Sequence, residues 1–327
     1  GNVTINSNDI WADGTIHLNG GTLNYEGVKN GSNGAFHGDK GNLNISDNFI
    51  VDADSYIKDA VNTTINEGST LQVAGGEVTL GGANDKISGN ISISDGKLNL
   101  DNAVKEQTGQ FTQTGGTTTV SGSFDLNNAN DNISGGQFDI NGTVNQTQGT
   151  ISDAANVNLK GTLNIKGGET SLNDNDNWEG NIQLSENGTL NLKDITSNGA
   201  LVANGGNLNL KNSIINLVKG DSISKDTNVS FDDTNSINID GGSAAFDGNE
   251  WGGTITLKDG NLDFSGTSNG ALKADGGNLN VADGSNLVIN SGSYIEDAVN
   301  ADIQGSLSSS GADAYVTLVN GDTIMGD

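Results

Sequence analysis

The sequence of 327 residues contains no cysteine and no proline, and all 14 of its basic residues are lysine. The absence of cysteine excludes disulfides and thiolate metal sites. The absence of proline suits a chain made of paired strands, because proline lacks the N–H that a strand ladder needs. Aromatic residues make up only 5% of the chain, so a core has to be built mainly from aliphatic side chains.

Basic residues are also far outnumbered, since 41 aspartates and glutamates give a net charge of −27. Nucleic acids and anionic membrane surfaces are bound through clustered lysine and arginine, so we expect neither as a partner. No apolar run approaches the roughly 18 residues of a membrane span, which predicts no membrane insertion of this segment. The chain starts at Gly1 without a signal peptide, and we expect a mature or excised segment whose targeting sequence is not included.

Intrinsic disorder is an alternative for so polar a chain. Leu, Ile, Val and Phe number 77, a little under a quarter of the residues, whereas a disordered chain usually has less than about a fifth. Alternation of polar and apolar residues with period two recurs along the sequence, and a disordered chain has no reason to keep it. The pattern therefore favours an ordered β protein.

One stretch of fourteen residues occurs three times without a gap. The copies are SNGAFHGDKGNLNI at 32–45, SNGALVANGGNLNL at 197–210 and SNGALKADGGNLNV at 268–281. Each copy ends in an alternating Gly-Asn-Leu-Asn-apolar segment, which predicts a half-buried strand, and a Gly-rich bend precedes that segment. The repeated unit is therefore strand, turn, strand.

Larger units enclose this stretch, and each begins near a tryptophan, at Trp11, Trp178 or Trp251. The long units span roughly 10–74, 178–240 and 251–309, and shorter units fill 75–177, where Ile87 and Ile133 take the place of the tryptophan. Internal repetition of this kind indicates a repeat array. We predict a single continuous solenoid over residues 1–327.

A finer spacing sets the fold class. Equivalent leucines recur after 17 to 20 residues, as from Leu262 to Leu279 and from Leu23 to Leu43. That length is short for a βαβ unit but sufficient for two or three short strands with turns. It predicts an all-β parallel β-helix of roughly 17–20-residue coils, in which outward Asn and Thr stack in ladders. Only Ser55–Val61 is compatible with a single helical turn.

Candidate catalytic residues are few. His17 is expected on the exposed face of a strand, and His37 occupies a position that holds Val202 and Lys273 in the other copies, which indicates a variable surface site. The acids are concentrated in turns such as Asp95-Gly96, where turn formation explains them. We therefore predict no catalytic, cofactor-binding or metal-binding residues, and no enzyme activity.

Calcium is the one cation that the acidic turns suggest. The segment Gly81–Ile87 is similar to the calcium-binding nonapeptide of parallel β-helices, but its aspartate comes one residue early and no tandem array follows. We interpret the match as accidental and expect no cofactor, apart from incidental Ca²⁺ at clustered turn carboxylates.

The tiling of Gly-Asn-Leu-Asn-Leu, Gly-Thr-Leu-Asn-Leu and Ile-Ser-Asp-Gly-Lys-Leu-Asn-Leu over residues 1–310 resembles passenger regions of bacterial surface adhesins of the autotransporter and filamentous-haemagglutinin-like class. The resemblance implies an exported, extracellular or cell-surface rod that acts as a stalk, adhesin or matrix component. Its partners would be surface glycans or proteins of host or neighbouring cells, or like chains end to end.

The alternative is a carbohydrate-active β-helix, either a polysaccharide lyase or a tailspike-like glycan-binding protein. A recessed groove lined by acids and a lysine would favour this alternative.

Overall fold

The chain is all-β, and its parallel strands stack as a β-solenoid of about 15 turns, about 20 residues apart. This confirms the predicted fold class. The computed structural model describes residues 1–29, 33–102, 108–247, 251–265, 270–309, 313–317, 319 and 322–324.

Contacts between Cα atoms divide the chain into two compact units, Gly1–Leu163 and Asn164–Asp327. The strands that begin in the first unit are β1 Asn2–Asn6, β2 Thr15–Glu26, β3 Ala35–Ile45, β4 Asn48–Asp52, β5 Tyr56–Ile57, β6 Val61–Ile65, β7 Thr70–Leu80, β8 Lys86–Ile87, β9 Asn90–Leu100, β10 Phe111–Gln113, β11 Thr117–Val120, β12 Ser123–Leu126, β13 Asn132–Ile133, β14 Gln137–Ile140, β15 Thr143–Gln146, β16 Thr150–Ile151, β17 Asn156–Leu159 and β18 Thr162–Ile165.

Strands of the second unit follow the same plan. They are β19 Glu169–Leu172, β20 Asn177–Trp178, β21 Asn181–Lys193, β22 Ala200–Lys211, β23 Ile214–Val218, β24 Ser222–Ile223, β25 Asn228–Ser230, β26 Ser236–Asp247, β27 Thr254–Ser265, β28 Ala271–Ala274, β29 Asn278–Val281, β30 Asn286–Ile289, β31 Tyr294–Ile295, β32 Asn300–Ile303, β33 Ser306–Ser309, β34 Tyr315–Val316 and β35 Thr323–Ile324.

Each strand pairs in parallel with its counterpart one coil later, so equivalent residues lie directly beside one another. Leu23 is the partner of Leu43, 20 residues later, and Asn261 is the partner of Asn278 after only 17. Between β23 and β26 the offset is 22 residues, slightly more than the predicted range. The additional residues lie in the turns between strands, because the strands themselves stay paired.

The Gly-Asn-Leu-Asn segments have the predicted orientation. In β29, Leu279 and Val281 are 0% and 1% exposed, whereas Asn278 is half-buried and Asn280 is exposed. Leu43 and Leu208 are equally buried in the other two copies. Alternation of side chains across a strand therefore places one row of aliphatic residues inside the coil and one row of amides outside.

Outward asparagines form the predicted ladders between coils. The amide nitrogen of Asn44 donates to Oδ1 of Asn24 over 2.7 Å, and Asn209 donates to Asn191 over 2.8 Å. Where the neighbouring coil has an aspartate, the amide donates to the carboxylate, as from Asn280 to Asp263 over 2.6 Å. Because an amide both donates and accepts, it links the coil before it to the coil after it.

The three tryptophans are buried beside a glycine of the fourteen-residue stretch, a relation that the sequence analysis did not predict. A Cβ added to Gly34 would lie 2.6 Å from Nε1 of Trp11, and Gly199 and Gly270 have the same relation to Trp178 and Trp251. Each indole N–H donates to a carbonyl close by in sequence; the acceptors are Gly14 at 3.4 Å, Gly180 at 3.1 Å and Gly253 at 3.0 Å. The Asn-Gly dipeptide therefore leaves room for the tryptophan of the preceding coil.

The helical turn considered for Ser55–Val61 is wrong. This segment contains β5, a turn at 58–60 and the first residue of β6. Pairing of Tyr56 and Ile57 with His37 and Gly38 of the preceding coil keeps the segment extended.

The register predicts a large difference between neighbouring substitutions in β29. Leu279→Lys places a charge in a core without a partner, which costs several kcal/mol. Asn280→Lys keeps an outward side chain beside Asp263 and should change the free energy of unfolding by about 0.5 kcal/mol or less. Denaturation midpoints of the two single mutants test this, and equal effects would contradict the register.

Gly34→Ala should destabilise the first unit, because the new methyl group meets both Trp11 and the carbonyl of Gly14. Overpacking of this kind costs about 1–3 kcal/mol. Gly82→Ala is the matched control, since the nearest atoms to its added Cβ lie 3.4 Å away. Thermal unfolding of both variants measures the difference; a Gly34→Ala variant as stable as the control would show that the tryptophan can move aside.

Candidate functional site

Three aromatic side chains on successive coils of the first unit form a column on its outer surface. His17 of β2, His37 of β3 and Tyr56 of β5 are partners in register. The two imidazoles meet edge to face with ring centroids 4.7 Å apart, and His37 stacks on Tyr56 at 4.6 Å with an angle of 17° between the rings. We call these three residues the aromatic column.

The two histidines were considered separately in the sequence, and the structure brings them together. His17 is exposed, as expected, but His37 is half-buried, and its Nε2 lies 2.8 Å from the carbonyl oxygen of Asp54. His37 therefore belongs to a local network of contacts, which its variable position in the repeat did not indicate.

An ion pair lies beside the aromatic column. The ammonium of Lys58 is 2.5 Å from Oδ1 of Asp39 and 4.9 Å from the centre of the Tyr56 ring. The hydroxyl of Tyr56 lies 3.4 Å from both oxygens of Asp39. One face of the Tyr56 ring is thus stacked on His37, and the Lys58 ammonium lies over the ring in a cation–π contact.

The ion pair shifts the pKa values of both of its members. The hydrogen bond from Lys58 holds the pKa of Asp39 below its ordinary value, with smaller contributions in the same direction from Tyr56 and from the charge of His17, while desolvation opposes them. The same hydrogen bond raises the pKa of Lys58. Both groups are therefore charged at neutral pH, and because the pair lies at the surface it contributes little to the free energy of unfolding.

Two clefts flank the aromatic column. One has a volume of about 490 Å³, and its polar lining consists of Tyr56, Lys58, Asp59, Glu77, Thr79 and Asp101. The other has a volume of about 500 Å³ and contains His37, Asn33 and the acids Asp13, Asp52 and Asp54. Together they offer hydrogen-bond acceptors, one ammonium and an aromatic hydroxyl to a polar ligand.

A related arrangement occurs in the second unit. Tyr294 and Tyr315 stack with centroids 5.6 Å apart, and Tyr315 donates to Glu296 over 2.5 Å. Burial and the nearby carboxylate of Asp275 raise the pKa of Tyr294. Tyr56 and Tyr294 both come from the motif Ser-Tyr-Ile-Lys/Glu-Asp-Ala-Val, whose outward tyrosine the sequence analysis did not assign.

The tyrosine and its carboxylate partner belong to different motifs, one coil apart. Asp39 and Asp275 occupy the same position of the fourteen-residue stretch, and the middle copy has Asn204 there and Ser222 in place of the tyrosine. Tyrosine and aspartate thus occur together or not at all among the three units. This joint variation is the signal from which the pair could have been predicted.

The calcium-like segment Gly81–Ile87 has a structural role. Asp85 is 1% exposed, and its carboxylate accepts backbone N–H groups from Gly81 at 2.8 Å, Gly82 at 2.9 Å and, from the preceding coil, Thr63 at 2.6 Å. N–H donors thus converge on both carboxylate oxygens, which is how a protein binds a buried anion.

The same geometry recurs at other corners of the solenoid. A polar side chain that follows a tight turn accepts an N–H from the preceding coil, while its own N–H closes the turn. Aspartate, serine and asparagine serve in this way: Asp131 accepts from Phe111, Asp221 from Leu201, Ser55 from Phe36, Ser293 from Leu272 and Asn235 from Ser213. We call these residues corner clamps. By contrast, Asp95 and Asp259 are exposed, and each accepts the N–H of the following glycine. The turns predicted for these two residues are wrong, because both lie within strands, β9 and β27, at shifts in the register of strand pairing.

Within the described ranges, no group of three or more His, Asp or Glu side chains is placed to hold a metal ion. No helix long and apolar enough to cross a membrane occurs in that part of the chain.

No family model, no curated protein and no solved structure matches this sequence.

Asp85→Asn should weaken the junction between two coils. The amide group presents hydrogens to the N–H groups of Gly81 and Gly82, so at least one buried donor loses its partner at a cost of about 1–3 kcal/mol. Asp95→Asn, at an exposed position within β9, removes the same charge with little effect on the free energy of unfolding. Denaturant midpoints of the two variants separate the loss of the clamp from the change in net charge.

The pH dependence tests the state of the same carboxyl. Burial raises the pKa of Asp85 above its ordinary 3.8, although the N–H bonds act in the opposite direction. The native chain then binds more protons than the unfolded chain. The contribution of Asp85 to the free energy of unfolding is therefore fully present below about pH 3.8 and is lost as pH rises through the raised pKa. The stability lost in Asp85→Asn should therefore be larger at pH 4 than at pH 7. A loss that grows with pH would show that the N–H bonds outweigh burial.

Proposed function

We propose that this chain is a non-enzymatic, extracellular structural and adhesive protein of the bacterial cell surface, a repeat rod that serves as stalk, adhesin or matrix component. The observation that carries the proposal is the asparagine ladder. Outward amides bond from coil to coil in both units, as from Asn62 to Asn42 at 2.9 Å and from Asn300 to Asn278 at 3.0 Å. These bonds hold neighbouring coils together, which suits an element that bears mechanical load.

The proposed partners are glycans or proteins on host or neighbouring cells, or further copies of the chain. The net charge of −27 gives no attraction for nucleic acids or anionic membranes, and we propose neither as a partner. The aromatic column and its flanking clefts are the part of the first unit best equipped for adhesion, because a ring hydroxyl, an ammonium and several carboxylates meet there. No cofactor is proposed, apart from incidental Ca²⁺ at surface carboxylates.

A second candidate function is a carbohydrate-active β-helix. The cleft lined by Lys58, Asp59, Glu77 and Asp101 favours it, because acids beside a lysine are the groups that would bind or cleave a polysaccharide. In this cleft Lys58 is already paired with Asp39, and Glu77 accepts a bond from Asn99 at 3.2 Å. Both groups are thus engaged in coil-to-coil contacts, which is why we prefer adhesion.

Binding and turnover can be measured on the same samples. The labelled chain is applied to an array of neutral, amino and acidic oligosaccharides, to cultured cells and to immobilised chain, and each solution is assayed for new reducing ends and unsaturated products. The test variant Tyr56→Ser/Lys58→Ser copies the middle repeat, which has Ser222 and Ser224 at these positions. Lys97→Ser, an exposed change on the same face, is the control.

We expect binding to at least one surface without products, reduced at least about tenfold in the double variant (a loss of roughly 1.4 kcal/mol of binding free energy) and unchanged in Lys97→Ser. Product release that is abolished by Glu77→Gln would overturn the adhesive proposal in favour of the enzyme. Failure to bind any of the three surfaces would contradict adhesion.

A further inference from the structure

Two tyrosines of the second unit are placed for a covalent reaction with each other. Tyr294 of β31 and Tyr315 of β34 are direct partners in parallel strands. Their rings lie nearly parallel, with an interplanar angle of 13° and centroids 5.6 Å apart, and Tyr315 is 48% exposed. Side chains on the outside of neighbouring strands can approach further by rotation about their χ angles, since neither ring is packed in a core.

Each phenol has a carboxylate that can take its proton. The hydroxyl of Tyr315 donates to Oε1 of Glu296 over 2.5 Å, and burial together with the nearby carboxylate of Asp275 raises the pKa of Tyr294. The bond to Glu296 raises the pKa of Tyr315 to about 12, so both phenols are protonated at neutral pH. Loss of an electron from such a phenol can be accompanied by transfer of its proton along the existing hydrogen bond.

We propose that Tyr294 and Tyr315 are a site of oxidative coupling, at which a one-electron oxidant of the peroxidase and hydrogen peroxide class joins the two rings as dityrosine. Each phenol loses one electron to the oxidant and one proton to its carboxylate, giving two phenoxyl radicals. The radicals form one carbon–carbon bond between their ortho carbons. The hydrogen on each of these carbons then moves to the oxygen, which restores two phenols. The balance is two electrons and two protons lost per cross-link.

The environments of the other two tyrosines make the coupling reaction selective for Tyr294 and Tyr315. The sequence has four tyrosines and no cysteine, so phenol coupling is a covalent cross-link that its side chains can form where disulfides cannot. Tyr25 is 1% exposed, and Tyr56 stacks on His37. The cross-link would join two neighbouring coils, and constraint of the unfolded chain should then stabilise the folded one, as it does for a disulfide.

The experiment oxidises the purified full chain, at a dilution that disfavours encounters between chains, with hydrogen peroxide and a peroxidase. Dityrosine fluorescence, intact mass and peptide mapping are recorded for the wild type and for Tyr315→Phe, Tyr294→Phe and Tyr56→Phe. Phenylalanine keeps the ring and removes only the hydroxyl, so each variant should fold, and circular dichroism checks this.

We expect monomeric product lighter by two hydrogen atoms, with the peptides of Tyr294 and Tyr315 joined, in the wild type and in Tyr56→Phe. Neither Tyr294→Phe nor Tyr315→Phe should yield it. The denaturation midpoint should rise after oxidation in the wild type and stay unchanged in Tyr315→Phe. Glu296→Gln should slow coupling, because the proton acceptor is lost.

Three outcomes would overturn the proposal: coupling that persists in Tyr315→Phe, dityrosine found only in dimers, or a yield in the folded chain no higher than in the chain unfolded by urea. An unchanged rate in Glu296→Gln would overturn the assigned role of the carboxylate.

Discussion

Parallel stacking in register is the constraint on which the structure depends. A strand lies about 4.8 Å from its counterpart in the next coil, so each side chain is flanked by the equivalent side chains of its neighbours. Aliphatic residues tolerate this inside the coil, and amides tolerate it outside because each donates to one neighbour and accepts from the other. Carboxylates only accept, and the chain places them next to amides, as in the bond from Asn145 to Asp125 at 2.8 Å. A chain with 41 acids can therefore form solvent-exposed ladders.

Corners impose a second demand, because the chain turns there and backbone N–H groups lose their strand partners. The corner clamps meet this demand with a buried side chain that accepts an N–H from the preceding coil. Asp131 accepts from Phe111 through Oδ1 at 2.7 Å and, within its own turn, from Asn128 through Oδ2 at 2.9 Å. Burial of such a carboxylate is tolerated because the N–H dipoles replace the hydration that it loses. The residue type can vary among Asp, Ser and Asn, since the position requires only a short side chain with an acceptor oxygen within reach of the N–H group of the preceding coil.

Strand alternation, the inward leucines and the outward amides could be predicted from the sequence because they depend on local periodicity, as Leu279 and Asn280 illustrate. The burial of Asp85 could not be predicted, since an aspartate in a Gly-rich turn is expected to be exposed. Its hydrogen bond with the backbone N–H of Thr63 comes from the neighbouring coil, which the local sequence does not reveal. The contact of Trp11 with Gly34 joins two segments that were each recognised as repeated but were interpreted separately. The aromatic column was missed for the same reason, because its members are brought together by register and not by sequence proximity.

The ladders also bear on how such a surface could recognise a partner. A ladder uses one donor and one acceptor of each amide, which is half of the amide's hydrogen-bonding capacity. In the proposed adhesive role, the positions that distinguish one coil from another are those where aromatic residues interrupt the amides, at His37 and Tyr56 and at Tyr294 and Tyr315. Each of the two tyrosine sites has an aspartate at the same position of the repeat. The sites differ in the next outward residue after the tyrosine, which is Lys58 in the first unit and Glu296 in the second. Lys58 is paired with Asp39 and lies beside Asp59, Glu77 and Asp101, so carboxylates outnumber the ammonium at the first site and an anionic ligand is disfavoured at both sites. For the proposed adhesive role, the chemistry of these two positions therefore favours a ligand that is not anionic.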